Sequence, residues 1–297
     1  MVESLSKKNR KIALLEGITA GALFGTAAIF IRLLSGLNVF SIALWRLIIA
    51  SIFLALLLIV LKRPFARNLF KKNLPQILVL GVLLGSHFIL FVSAVLDTTI
   101  LNATVLVNTT PIWSMFVSSL VFKLKPSRLA VLGILTSFFG VGVIAYGDAA
   151  AKTWTINLQG DLEAIFAAVV EAFYLSYGRD VRHKLSLLNL MLTIYIASAF
   201  TVLVWGVVSR SHFTFPIDPG LIFVLIGVGL LPTALAHTFY FSSLSNLKSF
   251  ETAAMALLEP IVATLLGIAI FIQVPDAFFV LGAAFILVGI VSVAVTK

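Results

Sequence analysis

The chain has 297 residues, of which 61% are hydrophobic and 11% are charged, and it carries a formal net charge of +9. Its mean hydropathy is +1.13. A water-soluble domain has about 25% charged residues, because its surface must be solvated, and this composition excludes that class. The sequence has no cysteine, which excludes disulfides, thiol catalysis and Cys-ligated metals. We therefore predict an integral membrane protein.

Ten apolar runs follow one another along the chain, separated by short polar segments. Each is close to the roughly 20 residues that an α-helix needs to cross the membrane, and none has the polar stripe of an amphipathic surface helix. The first run resembles a signal peptide, but it exceeds the usual apolar length of about 7–15 residues, so we interpret it as a retained helix. We predict an all-α integral membrane fold with ten transmembrane helices, spans 1 to 10, at 12–34, 41–61, 75–96, 100–122, 128–147, 160–179, 186–208, 217–243, 250–272 and 276–296.

The distribution of the basic residues predicts the orientation of the protein. Loops rich in Lys and Arg stay on the cytoplasmic side of a membrane. With a cytoplasmic N-terminus, most of the 21 basic residues fall on that side, and an odd number of spans would destroy this pattern. We predict a multi-pass protein of the cytoplasmic (inner) membrane with both termini in the cytoplasm. The basic residues are divided among short loops and tails, which argues against nucleic acid as a partner.

An internal repeat is the most informative feature of the sequence. A displacement of 149 residues superimposes Pro111 on Pro260, and a displacement of 147 residues superimposes Arg32 on Arg179. Chance similarity between apolar helices would not keep prolines and glycines in step. The same displacement of 149 residues superimposes Gly133 on Gly282 and Gly140 on Gly289.

Two domains of five spans each follow from this repeat, residues 1–149 and residues 150–297. Because five is an odd number, the second domain must enter the membrane from the opposite side. The loop charges agree, since the loop after span 2 has five basic residues and its counterpart at 209–216 has only Arg210. Inverted-topology repeats of this kind are a common transporter architecture, in which the halves move around a site near the bilayer midplane.

Several short motifs follow one another along the two halves, and some of them are duplicated. They are Gly21-x-x-x-Gly25, Trp45-Arg46, Pro111, Pro126, Gly133, Gly140, Gly160, Tyr174 to Arg179, Leu258-Glu259-Pro260, Gly282 and Gly289. Together they resemble the drug/metabolite transporter superfamily, in its ten-helix branch with two EamA-type repeats, over essentially the whole chain. The resemblance implies export of amino acids, related metabolites or amphipathic drugs, through a cavity lined by spans 1, 3, 4, 6, 8 and 9. Many members have Trp in the middle of span 6, where this chain has Glu171.

Glu171 is the first candidate for substrate binding or coupling, because an ionisable residue deep in a span costs about 2.5–3.5 kcal/mol on insertion scales. A carboxylate there can bind a cationic substrate or exchange a proton. Glu171 and Arg179 also resemble the Glu of small multidrug members, which a basic residue follows eight positions later. Tyr174 lies three residues after Glu171 and is expected beside it. The alternative is a hydrogen-bonded structural Glu.

Prolines interrupt spans 4 and 9 at matching positions. Proline removes a backbone donor and frees a carbonyl group, and broken segments in both halves indicate a midplane site. We expect Glu259, directly before Pro260, to contribute to that site. The alternative is that Pro111 and Pro260 only kink the helices for packing. Asn108 and Asn102 of span 4 are candidates for hydrogen bonds to a ligand, with helix–helix contacts as the alternative.

Two histidines occupy spans 3 and 8. His87 and His237 could titrate near neutral pH or stack on a substrate, although a satisfied interior histidine is the ordinary role. Tyr240 lies on the face of His237, and Pro232 kinks the same span. Neither histidine has a second metal ligand at helical spacing, so we expect no metal site. Arg46 of span 2 is expected to be structural, with a substrate carboxylate as the alternative partner.

We predict a secondary or facilitative transporter of small organic solutes that works by alternating access. An exchanger of phosphorylated sugars or nucleotide sugars would need several Lys or Arg residues in the spans, and only Arg46 qualifies. An intramembrane enzyme would need catalytic motifs that the sequence lacks, and nothing resembles the selectivity filter of a channel. We expect no cofactor. The expected partners are the solute, membrane lipid and, as a coupling ion, the proton, and we expect a monomer to suffice.

Overall fold

The computed structural model describes residues 10–65, 67–151, 157–182, 186–271 and 277–295, and within these ranges the chain is helical without any strand. The helices are α1 (Arg10–Phe24), α2 (Ala27–Leu33), α3 (Val39–Val60), α4 (Arg67–Lys72), α5 (Leu74–Asp97), α6 (Ile100–Val107), α7 (Thr110–Leu120), α8 (Arg128–Ala151), α9 (Leu158–Arg182), α10 (Leu187–Val208), α11 (Pro219–Val228), α12 (Ala236–Ser243), α13 (Ser249–Met255), α14 (Glu259–Phe271) and α15 (Ala277–Ala294).

Seven helical segments in the described ranges are long and apolar enough to cross a membrane. They are Arg10–Leu33, Val39–Val60, Leu74–Asp97, Leu187–Val208, Pro219–Ser243, Ser249–Leu266 and Ala277–Ala294. The predicted all-α membrane fold is thereby confirmed, whereas the count of ten spans stays a prediction.

The other three predicted spans contain helices that depart from a simple apolar span for different reasons. Span 4 is divided into α6 and α7, which are separated by Asn108 and Thr109. Among the residues of α8 whose side chains the structure describes, the apolar helix is Arg128–Ile144, and the helix itself continues to Ala151. Helix α9 carries several charged residues, including Glu171 and Arg182, which lower its hydropathy.

The repeat is visible in the ends of equivalent helices. Helices α3 and α10 have 22 residues each. Two residues beyond each helix, Lys62 and Arg210 adopt positive φ angles of 50° and 54°. The backbone N–H of Arg63 then donates to the carbonyl of Leu58, as that of Ser211 does to Gly206. This is the left-handed helix ending of the Schellman motif, and it occurs at the same place in both halves.

The superimposed arginines also make equivalent contacts. Arg32 donates from Nη2 to the carbonyl oxygen of Thr98 at 2.6 Å. Arg179 donates from Nε to the carbonyl oxygen of Leu247 at 3.2 Å. Each arginine therefore ties the end of the first helix of its half to the connection that precedes the fourth.

Helices α8 and α15 cross at glycines. A Cβ atom on Gly133 would lie 2.7 Å from the carbonyl oxygen of Gly289, and one on Gly140 would lie 2.5 Å from that of Gly282. Because the contact moves backward along α15 as it moves forward along α8, the two helices are antiparallel. Small residues at such a crossing allow the two backbones to touch.

Three prolines lie at breaks in the helices. Pro111 is in the first turn of α7, and Pro260 follows the 3-10 turn Ala256–Leu258 that separates α13 from α14. Pro232 lies inside a π-helical segment, Gly229–Leu235, between α11 and α12. Polar side chains at these breaks, including Asn108, Thr110 and Glu259, are buried in the bundle.

Candidate functional site

A cavity lies between the broken helices, where residues from both halves meet. Its free volume, counted as the space open to the centre of a water-sized sphere, is about 30 Å³. Six residues singled out from the sequence line it, and they come from five different helices and one helix break: His87, Asn108, Pro111, Glu171, His237 and Glu259. The structure thus brings together the carboxylates, the histidines and one of the two asparagines.

Glu171 is held at the cavity wall by Thr110. The Thr110 hydroxyl lies 3.2 Å from Oε2 of Glu171 and 2.7 Å from the carbonyl oxygen of Val107. That carbonyl is the group that Pro111 frees, because proline cannot donate to the residue four positions earlier. The hydroxyl has one hydrogen and three possible acceptors, because the carbonyl oxygen of Ala168 also lies at 3.5 Å. An ionised Glu171 therefore competes with both carbonyl groups for that hydrogen.

Glu259 faces the cavity from the first turn of α14 and is buried. Asn108 donates from Nδ2 to Oε2 of Glu259 at 3.2 Å and to the carbonyl oxygen of Thr104 at 2.7 Å. A carboxylate is stabilised at a helix N-terminus by the helix dipole. Glu259 therefore has an amide partner from the first half and a favourable position in the second.

The two histidines meet across the cavity, with ring centroids 6.1 Å apart. Nδ1 of His87 lies 3.1 Å from the carbonyl oxygen of Ala167 and 3.9 Å from Oε2 of Glu171. A carbonyl can only accept, so Nδ1 of His87 carries a hydrogen. In the described part of the chain, Nδ1 of His237 is buried without a hydrogen-bond partner.

Aromatic rings surround the histidines. The ring of Phe24 meets that of His237 edge-on at 4.8 Å, and Phe88 does so at 4.9 Å. Phe91 stacks on His87 at 6.0 Å between centroids. One part of the cavity is thus apolar and aromatic while the carboxylates form another part, which suits an amphipathic solute.

Arg46, which the sequence predicted to be structural with a substrate carboxylate as the alternative partner, also lines this cavity. Its Nε donates to Oγ1 of Thr233 at 2.8 Å, and its guanidinium carbon lies 4.0 Å from the ring centroid of Phe88. Among the described residues, the guanidinium has no carboxylate oxygen within 4.0 Å. A hydroxyl and an aromatic ring take that place.

Three predicted residues lie away from the cavity lining. Asn102 donates to Oδ1 of Asp161 at 3.2 Å at the start of α6, so it makes a helix–helix contact, the alternative that the sequence left open. Tyr240 is fully buried behind Phe24, whose ring it meets edge-on at 5.1 Å. Tyr174 packs against Phe241 instead of the cavity. Residues three apart lie on the same side of a helix, and it is the packing of the tyrosines against Phe24 and Phe241 that keeps them out of the cavity lining.

The repeat relates the carboxylates to uncharged residues. The displacements found in the sequence superimpose Phe24 on Glu171 and Thr110 on Glu259, and all four residues line the cavity. The cavity therefore lies where equivalent positions of the two halves converge. Both carboxyl groups belong to the second half.

Comparisons with known proteins agree with this architecture. The profile of the EamA-like transporter family matches residues 11–146 and again residues 158–295, which confirms the resemblance inferred from the sequence. The uncharacterised transporter YxxF of Bacillus subtilis is 21% identical over 296 residues, covering 99% of this chain and 93% of that protein. A crystal structure with 16% sequence identity has a similar fold, with a TM-score of 0.81 over 96% of both chains.

Proposed function

We propose, because the chain belongs to the EamA-like transporter family, that it carries small organic solutes out of the cell across the cytoplasmic membrane by alternating access. The solutes are amino acids, related metabolites or amphipathic drugs. One observation carries this proposal: two carboxyl groups, two histidines and an aromatic wall line one cavity between broken helices of both halves. A mixed apolar and polar lining of this kind is typical of small-molecule sites.

The proposal includes ten spans in two oppositely oriented halves. The antiparallel crossing of α8 and α15 supports it, because these are the last helices of the two repeats and their contacts join Gly133 to Gly289 and Gly140 to Gly282. Because the repeat superimposes Gly133 on Gly282 and Gly140 on Gly289, it converts each of these two contacts into the other. Equivalent helices that run in opposite directions are what an inverted repeat requires.

The two carboxyl groups suit a solute with a protonated amine. Glu171 and Glu259 are buried, and a charge-assisted hydrogen bond in such a place contributes about 1.5–3 kcal/mol. The rings of Phe24, Phe88 and Phe91 offer a surface for an apolar or aromatic part of the solute. Amine and ring together describe an amphipathic organic molecule.

Glu171 also suits exchange of a proton against the solute. When Glu171 is protonated, it can donate to Thr110, which then donates to the freed carbonyl of Val107. When Glu171 is ionised, it competes for the Thr110 hydrogen and can bind a cationic amine instead. Binding of the proton and of the solute therefore exclude each other at this residue, which is the requirement for antiport.

Counterflow in proteoliposomes tests the proposed function. Purified protein is reconstituted, loaded with one unlabelled compound and assayed for uptake of labelled amino acids and aromatic cations. We expect saturable uptake of at least one class, with counterflow retained in Glu171→Gln while a pH gradient no longer drives transport. A wild-type protein that moves none of these compounds would contradict the substrate classes, and unchanged pH-driven flux in Glu171→Gln would contradict the coupling.

A further inference from the structure

Arg46 presents a buried, unpaired hydrogen-bond donor at the cavity. Its side chain is 1% exposed, and among the described residues its Nη1 has no hydrogen-bond partner. Within the same part of the chain, no carboxylate oxygen lies within 4.0 Å of the guanidinium. A buried guanidinium without a counter-ion is expensive, and the effective penalty is several kcal/mol. An anionic group of a ligand would remove this penalty.

The rest of the guanidinium is fixed in place. Nε is occupied by Oγ1 of Thr233, which itself donates to the carbonyl oxygen of Val228 at 2.6 Å. The carbonyl oxygen of Thr233 accepts from the Tyr195 hydroxyl at 2.8 Å, so the π-helical segment around Pro232 is held rigidly. Phe88 covers the guanidinium at 4.0 Å. These contacts orient the side chain and leave Nη1 for another acceptor.

We propose that Arg46 binds the carboxylate of the transported solute, and that the solute is therefore a zwitterion whose amine is bound at Glu171 and Glu259. This inference rests on the proposed function and selects among its substrate classes. One cation and two carboxyl groups line the cavity, so a singly charged carboxylate with a neighbouring ammonium group is matched on both sides. A purely cationic drug would leave Nη1 unpaired, and a dianionic phosphate would face two carboxyl groups with one arginine.

Substrate analogues that differ by one group test this directly. Competition against labelled counterflow is measured for the twenty proteinogenic amino acids, and the best competitor is compared with its amide and with its decarboxylated amine. For an aromatic substrate the three probes are L-phenylalanine, phenylalaninamide and phenethylamine. Because a lost charge-assisted contact leaves a buried donor unpaired, we expect the amide and the amine to compete about 100-fold more weakly in the wild type.

Variants of Arg46 supply the second arm. In Arg46→Met the preference for the carboxylate is expected to fall to about fivefold or less, whereas Arg46→Lys keeps part of it because the charge remains. Thr233→Val removes the acceptor of Nε together with the hydrogen bond to the carbonyl of Val228, and it is expected to weaken the preference without removing it. Shifts in the unfolding temperature of the detergent-solubilised protein on adding each probe provide a readout that does not depend on transport.

The outcomes separate this inference from the proposed function. If the wild type moves amphipathic amines as well as amino acids, or if Arg46→Met keeps the full preference, transport stands and the role of Arg46 is refuted. If the wild type moves no compound of any class, the proposed function fails and the inference fails with it. Should Arg46→Met not fold, the analogue series on the wild type and on Arg46→Lys still decides the question.

Discussion

Ser137 of α8 donates a hydrogen bond of 3.1 Å to the carbonyl oxygen of Ile286 of α15, and the two residues are 149 positions apart, so they are equivalent in the repeat. Equivalent residues of two repeats contact each other where a local two-fold axis relates the two helices. Gly140 and Gly282 lie in the next turns of this crossing. The contact that joins the two halves is therefore built from equivalent positions.

A methyl group at Gly140 is expected to force α8 and α15 apart. A Cβ there would lie 2.5 Å from the carbonyl oxygen of Gly282, which is backbone and cannot rotate away. We expect Gly140→Ala to destabilise the protein by about 1–3 kcal/mol, measured as a lower unfolding temperature in detergent. Gly142→Ala is the matched control, because a Cβ at Gly142 meets nothing within 4 Å and alanine favours the helix by up to about 1 kcal/mol. Equal effects of the two changes would contradict the close crossing.

The inverted repeat predicts that equivalent loops are labelled from opposite sides of the membrane. The protein has no cysteine, so single cysteines can be introduced without first replacing native ones. Arg63 and His212 are exposed residues that follow the equivalent helices α3 and α10. A membrane-impermeant maleimide added to intact cells is expected to label His212→Cys, while Arg63→Cys reacts only after the cells are opened. Labelling of both from the same side would contradict the oppositely oriented halves.

The two carboxyl groups are expected to have different roles. Glu171 shares Thr110 with the freed carbonyl of Val107, whereas Glu259 is bonded to Asn108. We expect Glu171→Gln to abolish transport driven by a pH gradient. Counterflow remains, although at higher substrate concentrations, because Gln can accept a hydrogen bond from the amine but carries no charge. Glu259→Gln is expected to weaken substrate affinity by about 10–100-fold, the equivalent of one charge-assisted hydrogen bond, and to leave the response to pH.

Asp180→Asn serves as the control for both changes, since Asp180 lies on α9 but is exposed. It is expected to leave affinity and coupling as they are in the wild type. If Glu259→Gln loses pH-driven transport and Glu171→Gln keeps it, the assignment of the two roles is reversed.

Much of the cavity could be predicted from the sequence because its residues are costly in lipid. A carboxyl group or histidine within an apolar span must have a polar partner, which singled out Glu171, Glu259, His87 and His237. The role of Arg46 could not be predicted in the same way, because its acceptor Thr233 lies in a π-helical segment far along the chain. Helical spacing gives no indication of such a segment.

Tyr240 shows the limit of arguments from helix faces. It follows His237 by three residues, yet the ring of Phe24 meets it at 5.1 Å and it does not line the cavity. Its position depends on a neighbouring helix from the other half, and a single-helix pattern contains no information about that neighbour. Asn102 makes the helix–helix contact that the sequence left open, and a single-helix pattern could not identify its partner, Asp161 of α9.

The two ends of the bundle carry different polar contacts at equivalent positions. At one end Arg10 of α1 pairs with Glu251 of α13, with Nη2 and Oε1 3.1 Å apart. The displacement of 149 residues superimposes Asn102 on Glu251, and at the other end Asn102 bonds to Asp161 of α9. In the proposed alternating access, one of these contacts opens while the other holds. We predict that Arg10 stabilises the closed state of its own end.

Arg10→Ala tests this prediction through the accessibility of Ser249, a fully buried residue near the Arg10–Glu251 pair. In a Ser249→Cys background, Arg10→Ala is expected to speed labelling about two- to fivefold, because a partly exposed ion pair contributes about 0.5–1 kcal/mol. Arg10→Lys should restore slow labelling, since the charge remains. Asn102→Ala loosens the opposite end and is expected to slow the labelling or leave it unchanged. Faster labelling with Asn102→Ala, or no change with Arg10→Ala, would contradict separate contacts at the two ends.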